Sequence, residues 1–149
     1  MYYFAYGSNI SEERIRKNCR NPKFVDIGYI KDYKFVYDGY SKTWRGAVAN
    51  IIPKSGEIVW GVVYEISEDD LRALDRQEGY PKTYNRKEIT VFCKNKNMEI
   101  KAYVYFREGK SIGKPTKEYV DTCVKGAKEH GIPEDYIENV LVGGWKNDK

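Results

Sequence analysis

Histidine occurs once in the 149 residues, at His130, and cysteine three times, at Cys19, Cys93 and Cys123. A single imidazole leaves no histidine cluster for a transition metal, and no serine stands in a Gly-x-Ser-x-Gly elbow. Neither a metal-activated water nor a Ser–His–Asp triad is therefore the expected chemistry. The carboxylates do not recur at ligand spacing, and no metal is expected. The cysteines are odd in number and never spaced as Cys-x-x-Cys, which argues against a disulfide framework and a zinc site alike. A reducing cytoplasm is the compartment this usage fits. No apolar run approaches the roughly 20 residues that span a bilayer, and Met1 leads directly into a core strand rather than a charged leader. Membrane insertion and export are not expected. Charge of one sign is also lacking, because 26 lysines and arginines are interleaved with 22 acids for a net +4. Without a basic helix or an RNA-binding motif, this reads as a solvated surface, and nucleic acid is not an expected partner.

Tyrosine is abundant instead, with 14 copies. It combines apolar area with one hydroxyl, which suits half-buried strands and the walls of a cavity. A chain this long fits one domain burying roughly 70% of its unfolded surface. Without repeats, low-complexity tracts or a linker, residues 1–149 read as a single α+β unit. Tyr2 to Ala5 predicts a buried strand stopped by Gly7-Ser8-Asn9. A helix follows, N-capped by Ser11, with Glu12 and Glu13 at its positive end, Ile15 facing inward and Asn21-Pro22 as its stop. Strand-like runs at Phe24 to Ile30, Tyr33 to Tyr37, Ala47 to Ile52 and Ile58 to Ile66 are separated by Asp-Gly, Pro and Ser-Gly punctuation. Ser67 to Asp70 is a capping-box start, Leu71 and Leu74 face inward, and Gly79 ends that helix. Tyr84 to Cys93 and Glu99 to Phe106 alternate as a hairpin about Lys94 to Asn97. From Pro115-Thr116 a last long helix reaches His130, buried through Val120, Cys123, Val124 and Ala127, and Pro133 to Val142 adds a short one. His130 reads as a cation complementing the C-terminal dipole of the long helix.

Two segments far apart in the chain carry candidate chemistry. Tyr6-Gly7-Ser8-Asn9 joins a strand exit, a glycine turn and a helix start, so backbone N–H groups and the Ser8 and Asn9 side chains can face a carboxylate or a developing oxyanion. A plain strand exit has the same composition. Leu74-Asp75-Arg76-Gln77-Glu78-Gly79-Tyr80 sets Glu78 at a helix C-terminus. The negative dipole end disfavours its ionised form and raises its pKa toward the range of a general acid and base. A carboxylate that is simply solvated, or paired with Arg76 or Lys82, is the alternative.

Taken jointly, Tyr3-Phe4-Ala5-Tyr6-Gly7-Ser8-Asn9, Glu13-Arg14-Ile15, Arg20-Asn21-Pro22, Thr43-Trp44-Arg45-Gly46, Val59-Trp60-Gly61-Val62-Val63-Tyr64, Leu74 to Gly79 and Gly126-Ala127-Lys128-Glu129-His130-Gly131 resemble the γ-glutamylcyclotransferases, in order along the chain. The resemblance implies a mixed β-barrel with flanking helices. It implies an enzyme that needs no metal or cofactor and releases 5-oxoproline and an amino acid or amine from a small γ-glutamyl substrate, whose own α-amino group attacks its γ-carbonyl. Glu78 matches the catalytic glutamate, the general acid and base. Tyr3, Phe4, Ala5, Tyr6, Gly7, Ser8 and Asn9 match the substrate-binding loop, and Tyr84 a tyrosine near the pocket. Tyr-Gly-Ser-Asn favours the γ-glutamyl amino acid branch, and a homodimer is compatible with the family. After Ala102 to Phe106 the family carries a second pocket tyrosine, where this chain reads Arg107-Glu108-Gly109-Lys110-Ser111. The loops Asp38 to Arg45 and Arg107 to Lys114 are expected to read the leaving amine. The competing reading is a non-catalytic ligand-binding or interaction domain on the same fold.

Overall fold

Strands β1 (Tyr2–Ala5), β2 (Lys23–Ser41), β3 (Gly46–Glu65), β4 (Asn85–Cys93) and β5 (Met98–Phe106) close on themselves in the order β1-β3-β2-β4-β5. The computed structural model describes residues 1–146; the single unit expected over 1–149 extends into residues that lie outside the described ones. Four of the strand pairings are antiparallel and one, β1 with β5 at Tyr3 and Tyr103, is parallel, so the barrel is mixed, as expected. Phe4, Ile30, Val59, Val62, Val63, Val91 and Val104 on these strands belong to the core, each without solvent exposure.

The four strand-like runs between Phe24 and Ile66 are not separate strands. They fuse into the 19-residue β2 and the 20-residue β3, one long hairpin. The punctuation is absorbed by bulges: the register shifts between Lys31 and Tyr33, where Asp32 takes φ 66° and its carboxylate accepts the Gly56 N–H at 2.9 Å. A bulge bends a strand pair without ending it. The outer half of the hairpin becomes an arm packed on the helices. There the Tyr37 hydroxyl donates to the Leu141 carbonyl (2.9 Å), and the Ala49 N–H donates to the Tyr119 hydroxyl (2.9 Å).

The helices follow their caps. α1 (Glu12–Ile15) is a single turn whose Arg14 N–H reaches Ser11 Oγ at 3.3 Å, and it ends well before Asn21-Pro22. α2 (Glu68–Glu78) starts with both halves of the Ser67–Asp70 capping box and ends at Gly79, which takes φ 69°, a conformation glycine adopts without strain. The turn between β4 and β5 is tied to β2 by the buried Asp26 carboxylate, which accepts from the Asn95 N–H (2.9 Å), Asn95 Nδ2 (2.9 Å) and the Lys96 N–H (2.8 Å). α3 (Lys117–His130) buries Tyr119, Val120, Cys123, Gly126 and Ala127, while Val124 is only half-buried. Beyond it α4 (Glu134–Tyr136), a π-helical turn over Ile137–Val142 and α5 (Gly143–Lys146) run on, further than the short helix expected.

His130 does not serve as the free cation foreseen. Its ring stacks on Phe24 with centroids 4.7 Å apart, Nε2 lies 3.3 Å from the Tyr64 hydroxyl, and burial lowers its pKa. That hydroxyl in turn donates to the Ile10 carbonyl at 2.8 Å, joining the end of α3 to the turn after β1.

Candidate active site

Where β1 leaves the barrel, Gly7 leads into a 3-10 turn over Ser8–Ile10, closed by Ile10 N–H to the Gly7 carbonyl at 3.1 Å. The first N–H groups of such a turn have no intrahelical acceptor. Only glycine fits at position 7, because a Cβ there would lie 2.9 Å from the Ala49 side chain and 3.1 Å from the Tyr119 hydroxyl. The turn is then pinned to the end of α2: Asn9 Nδ2 donates to the Tyr3 hydroxyl (3.0 Å) and to Gln77 Oε1 (3.2 Å). The far side of α2 is held by Asp75. Its carboxylate accepts from the Tyr105 hydroxyl at 2.6 Å and pairs with Arg86 at 2.5 Å, so β4 and β5 both orient the helix end that carries Glu78.

These elements enclose a cavity of about 380 Å³. Tyr3, Tyr6, Gly7, Ser8, Asn9, Glu78 and Tyr84 all line it, although the last two are far from the rest in sequence. Phe4 and Ala5 do not. They are 0% and 1% exposed and pack inward against the core, so the stretch from Tyr3 to Asn9 meets the cavity through only five of its seven residues. Arg14 from α1, Tyr105 from β5 and Tyr119 from α3 join them, which the sequence reading did not name as site residues. Thr43 and Trp44 at the tip of the arm and Arg107 just past β5 also line the cavity, and they fall in the two loops expected to read the leaving amine. Arg107 stands in the loop where a second tyrosine was absent, and its guanidinium carbon lies 4.8 Å from the centre of the Tyr84 ring. The Tyr84 hydroxyl donates to the Ala49 carbonyl at 2.8 Å.

Glu78 has the electrostatics of a proton carrier. Its pKa is raised from the ordinary 4.5 to about 7, chiefly because burial penalises the carboxylate, while Arg107 and then Arg14 draw it back down. The direction is the one expected from the helix terminus, but the main cause is desolvation. Among the described residues no ion pair holds Glu78, neither with Arg76 nor with Lys82. Glu78 is half-buried and is among the residues that line the cavity. Tyr3, Tyr6 and Tyr84 are pushed the other way from usefulness as bases: burial first, with Glu78 adding to it, holds their hydroxyls neutral. The site therefore offers one carboxyl able to exchange a proton near neutral pH, neutral hydroxyls around it, and the guanidinium groups of Arg14, Arg76 and Arg107. Among the described residues no group of three or more histidine, cysteine or acidic side chains is arranged to hold a metal.

Residues 58–140 match the AIG2-like family. The chain is 36% identical over 141 residues to the γ-glutamylcyclotransferase of Bos taurus, covering 90% of this chain and 73% of that one. It is 34% identical over 145 residues to that of Mus musculus, covering 93% and 76%. A solved γ-glutamyl cyclotransferase structure superposes with a TM-score of 0.89 at 30% identity, over 100% of this chain and 88% of the other. The family match and these relatives agree with the barrel, and the chain belongs to the γ-glutamylcyclotransferases of the AIG2-like family.

Proposed function

We propose that the protein converts γ-glutamyl amino acids or related γ-glutamyl amines to 5-oxoproline and the free amino acid or amine, with Glu78 as general acid and base. The observation that carries this reading is a single carboxyl with a pKa of about 7 in the wall of a cavity it shares with the Gly7–Ser8 turn. Glu78 takes a proton from the substrate's α-ammonium. The freed amine attacks the γ-carbonyl carbon, forming the ring C–N bond, and the oxyanion is held by donors of the turn between Gly7 and Asn9. Collapse breaks the original amide C–N bond as Glu78 returns its proton to the departing nitrogen, and the ring nitrogen's surplus proton then follows through the same carboxylate, so that the amine leaves as its ammonium ion. Atoms balance without water, and no enzyme nucleophile is required. Since both reacting groups sit on one molecule, holding them in the attack geometry supplies a large part of the acceleration, up to about 7–11 kcal/mol in well-oriented intramolecular cases.

Residues 1–149 act as one unit in this reading, without cofactor or nucleic acid. Three buried, unpaired cysteines suit a reducing cytoplasm, and a homodimer is compatible with the family. Among the described residues no helix is long and apolar enough to cross a membrane.

The test is to incubate the purified protein with γ-glutamyl amino acids and amines and to separate 5-oxoproline from free glutamate. 5-Oxoproline supports the proposal. Free glutamate makes water the nucleophile and the protein a hydrolase, and neither product from any substrate favours the binding-domain reading. The pH profile adds a second check. Glu78 must be ionised to accept the first proton, so kcat/KM is expected to rise with pH through an apparent pKa near 7. A profile flat from pH 5 to 8 would remove Glu78 as the base.

A further inference from the structure

Asn9 commits both hydrogens of its side-chain amide inside the protein. Nδ2 donates to the Tyr3 hydroxyl at 3.0 Å and to Gln77 Oε1 at 3.2 Å, the second bond joining residues 68 apart in sequence. No donor is left on that amide for an oxyanion or a carboxylate, so its place is to hold the turn rather than to donate to the substrate. Its Oδ1 is buried and, among the described residues, accepts from nothing. Asn9 is 4% exposed, and a side chain needed only to fill that space would be apolar and leave no acceptor unpaired. What the asparagine supplies beyond packing is a bridge of fixed length.

The bridge joins the two halves of the chemistry. One end is the 3-10 turn over Ser8–Ile10, and the other is Gln77, half-buried in the last turn of α2 and next to Glu78. The helix end has a second tether at Asp75, through the Tyr105 hydroxyl at 2.6 Å and Arg86 at 2.5 Å. Residues two apart lie about 200° from one another around a helix, so the two tethers oppose each other across its axis. With both in place the end of α2 cannot roll. With the Asp75 tether alone it can, and Glu78 swings relative to the turn. Tyr3 holds Asn9 whether or not Gln77 accepts from it, so the turn itself stays where it is.

We propose that Gln77 is a positioning residue for Glu78: by accepting from Asn9 it sets the spacing between the proton-carrying carboxyl and the turn that faces the γ-carbonyl oxygen. This rests on the cyclotransferase reading above and deepens it. The contacts that bind substrate through the turn and the barrel do not depend on Gln77, so its loss falls on kcat rather than KM. Misplacing a reacting group by about 1 Å can lower a rate by up to about 10²-fold.

The test follows 5-oxoproline release from γ-glutamyl-alanine on the alkaline plateau of each protein's pH profile, with kcat referred to folded enzyme by the amplitude of its urea transition. Gln77→Leu is expected to lower kcat about tenfold and to leave KM within about threefold. Gln77→Glu, whose carboxylate still accepts from Asn9, is expected to return kcat to within about threefold of the wild type. In an Asn9→Leu background, where the bridge is already gone, Gln77→Leu is expected to change kcat by less than about twofold. A residue that served only the fold would give a loss that the glutamate does not rescue and that persists beside Asn9→Leu. Wild-type kcat in Gln77→Leu, a loss carried by KM, or the failure of either control overturns the positioning role while leaving the cyclotransferase reading standing. No 5-oxoproline from the wild type overturns that reading, and the role of Gln77 with it.

Discussion

Glu78→Gln is expected to lower 5-oxoproline formation by about 10³-fold while making the protein more stable at pH 8. The loss of rate follows from removing the group that moves the proton, a contribution usually of about 10²- to 10⁴-fold. The gain in stability follows from the same burial. The native carboxyl holds its proton up to about pH 7, whereas in the unfolded chain it releases it near 4.5. Between those values the folded state binds more protons than the unfolded one, so this group makes stability fall as pH rises. Above pH 7 the buried carboxylate costs the fold on the order of 1–3 kcal/mol, a penalty that neutral glutamine avoids. Urea unfolding of both proteins should show the variant ahead at pH 8 and the two converging at pH 4. A variant as active as the wild type would remove the assignment. One that is inactive but also less stable at pH 8 would mean the rate was lost through damage to the fold.

Gly126→Ala is expected to cost about 3 kcal/mol and to depress activity at least tenfold, although the residue touches no substrate. Alanine normally favours a helix interior over glycine, but here α3 crosses the turn after β1 at close range. A Cβ on Gly126 would lie 2.5 Å from the Ser11 nitrogen and 2.8 Å from both the Ile10 carbonyl carbon and Ser11 Cα. All three are backbone atoms and cannot swing aside. Either α3 lifts or the turn shifts, and the turn carries Ser8, Asn9 and the cap of α1. Lys125→Ala, one position earlier on the exposed face, should stay within about 0.5 kcal/mol. Denaturant midpoints and 5-oxoproline rates measured together decide the case: a Gly126→Ala protein of unchanged midpoint and rate would show that the contact is readily relaxed.

Local signals in the chain are strong enough to place β1, the capping box of α2, the β4–β5 hairpin and the body of α3, because each depends on neighbours within a few residues. The division of the long hairpin into four strands failed for a tertiary reason. Asp32 and the bulge beside it continue the pairing through what reads locally as a break. Glu78 was legible from its place at a helix end, but not the desolvation that chiefly raises its pKa, which needs the closed cavity. Arg14 looks like an ordinary helix cation and Tyr119 like one more position of a buried stripe, and nothing in their flanks marks them as lining the cavity. Phe4 and Ala5 err in the opposite direction, since a linear motif does not separate residues facing a cavity from those facing the core.

The parallel contact of β1 with β5 has a kinetic consequence. It joins the first strand to the last, and it is reinforced by the Tyr6 hydroxyl donating to the Tyr105 carbonyl at 2.7 Å across a sequence separation of 99. A loop of that length is entropically slow to close, and pairings so distant form after the local hairpins β2–β3 and β4–β5. Until the seam shuts, the chain has most of its sheet but no cavity, because Tyr3 and Tyr6 stand on one lip and Tyr105 and Arg107 on the other. Turnover regained during refolding should therefore lag behind the recovery of strand structure and report the closing of the seam itself.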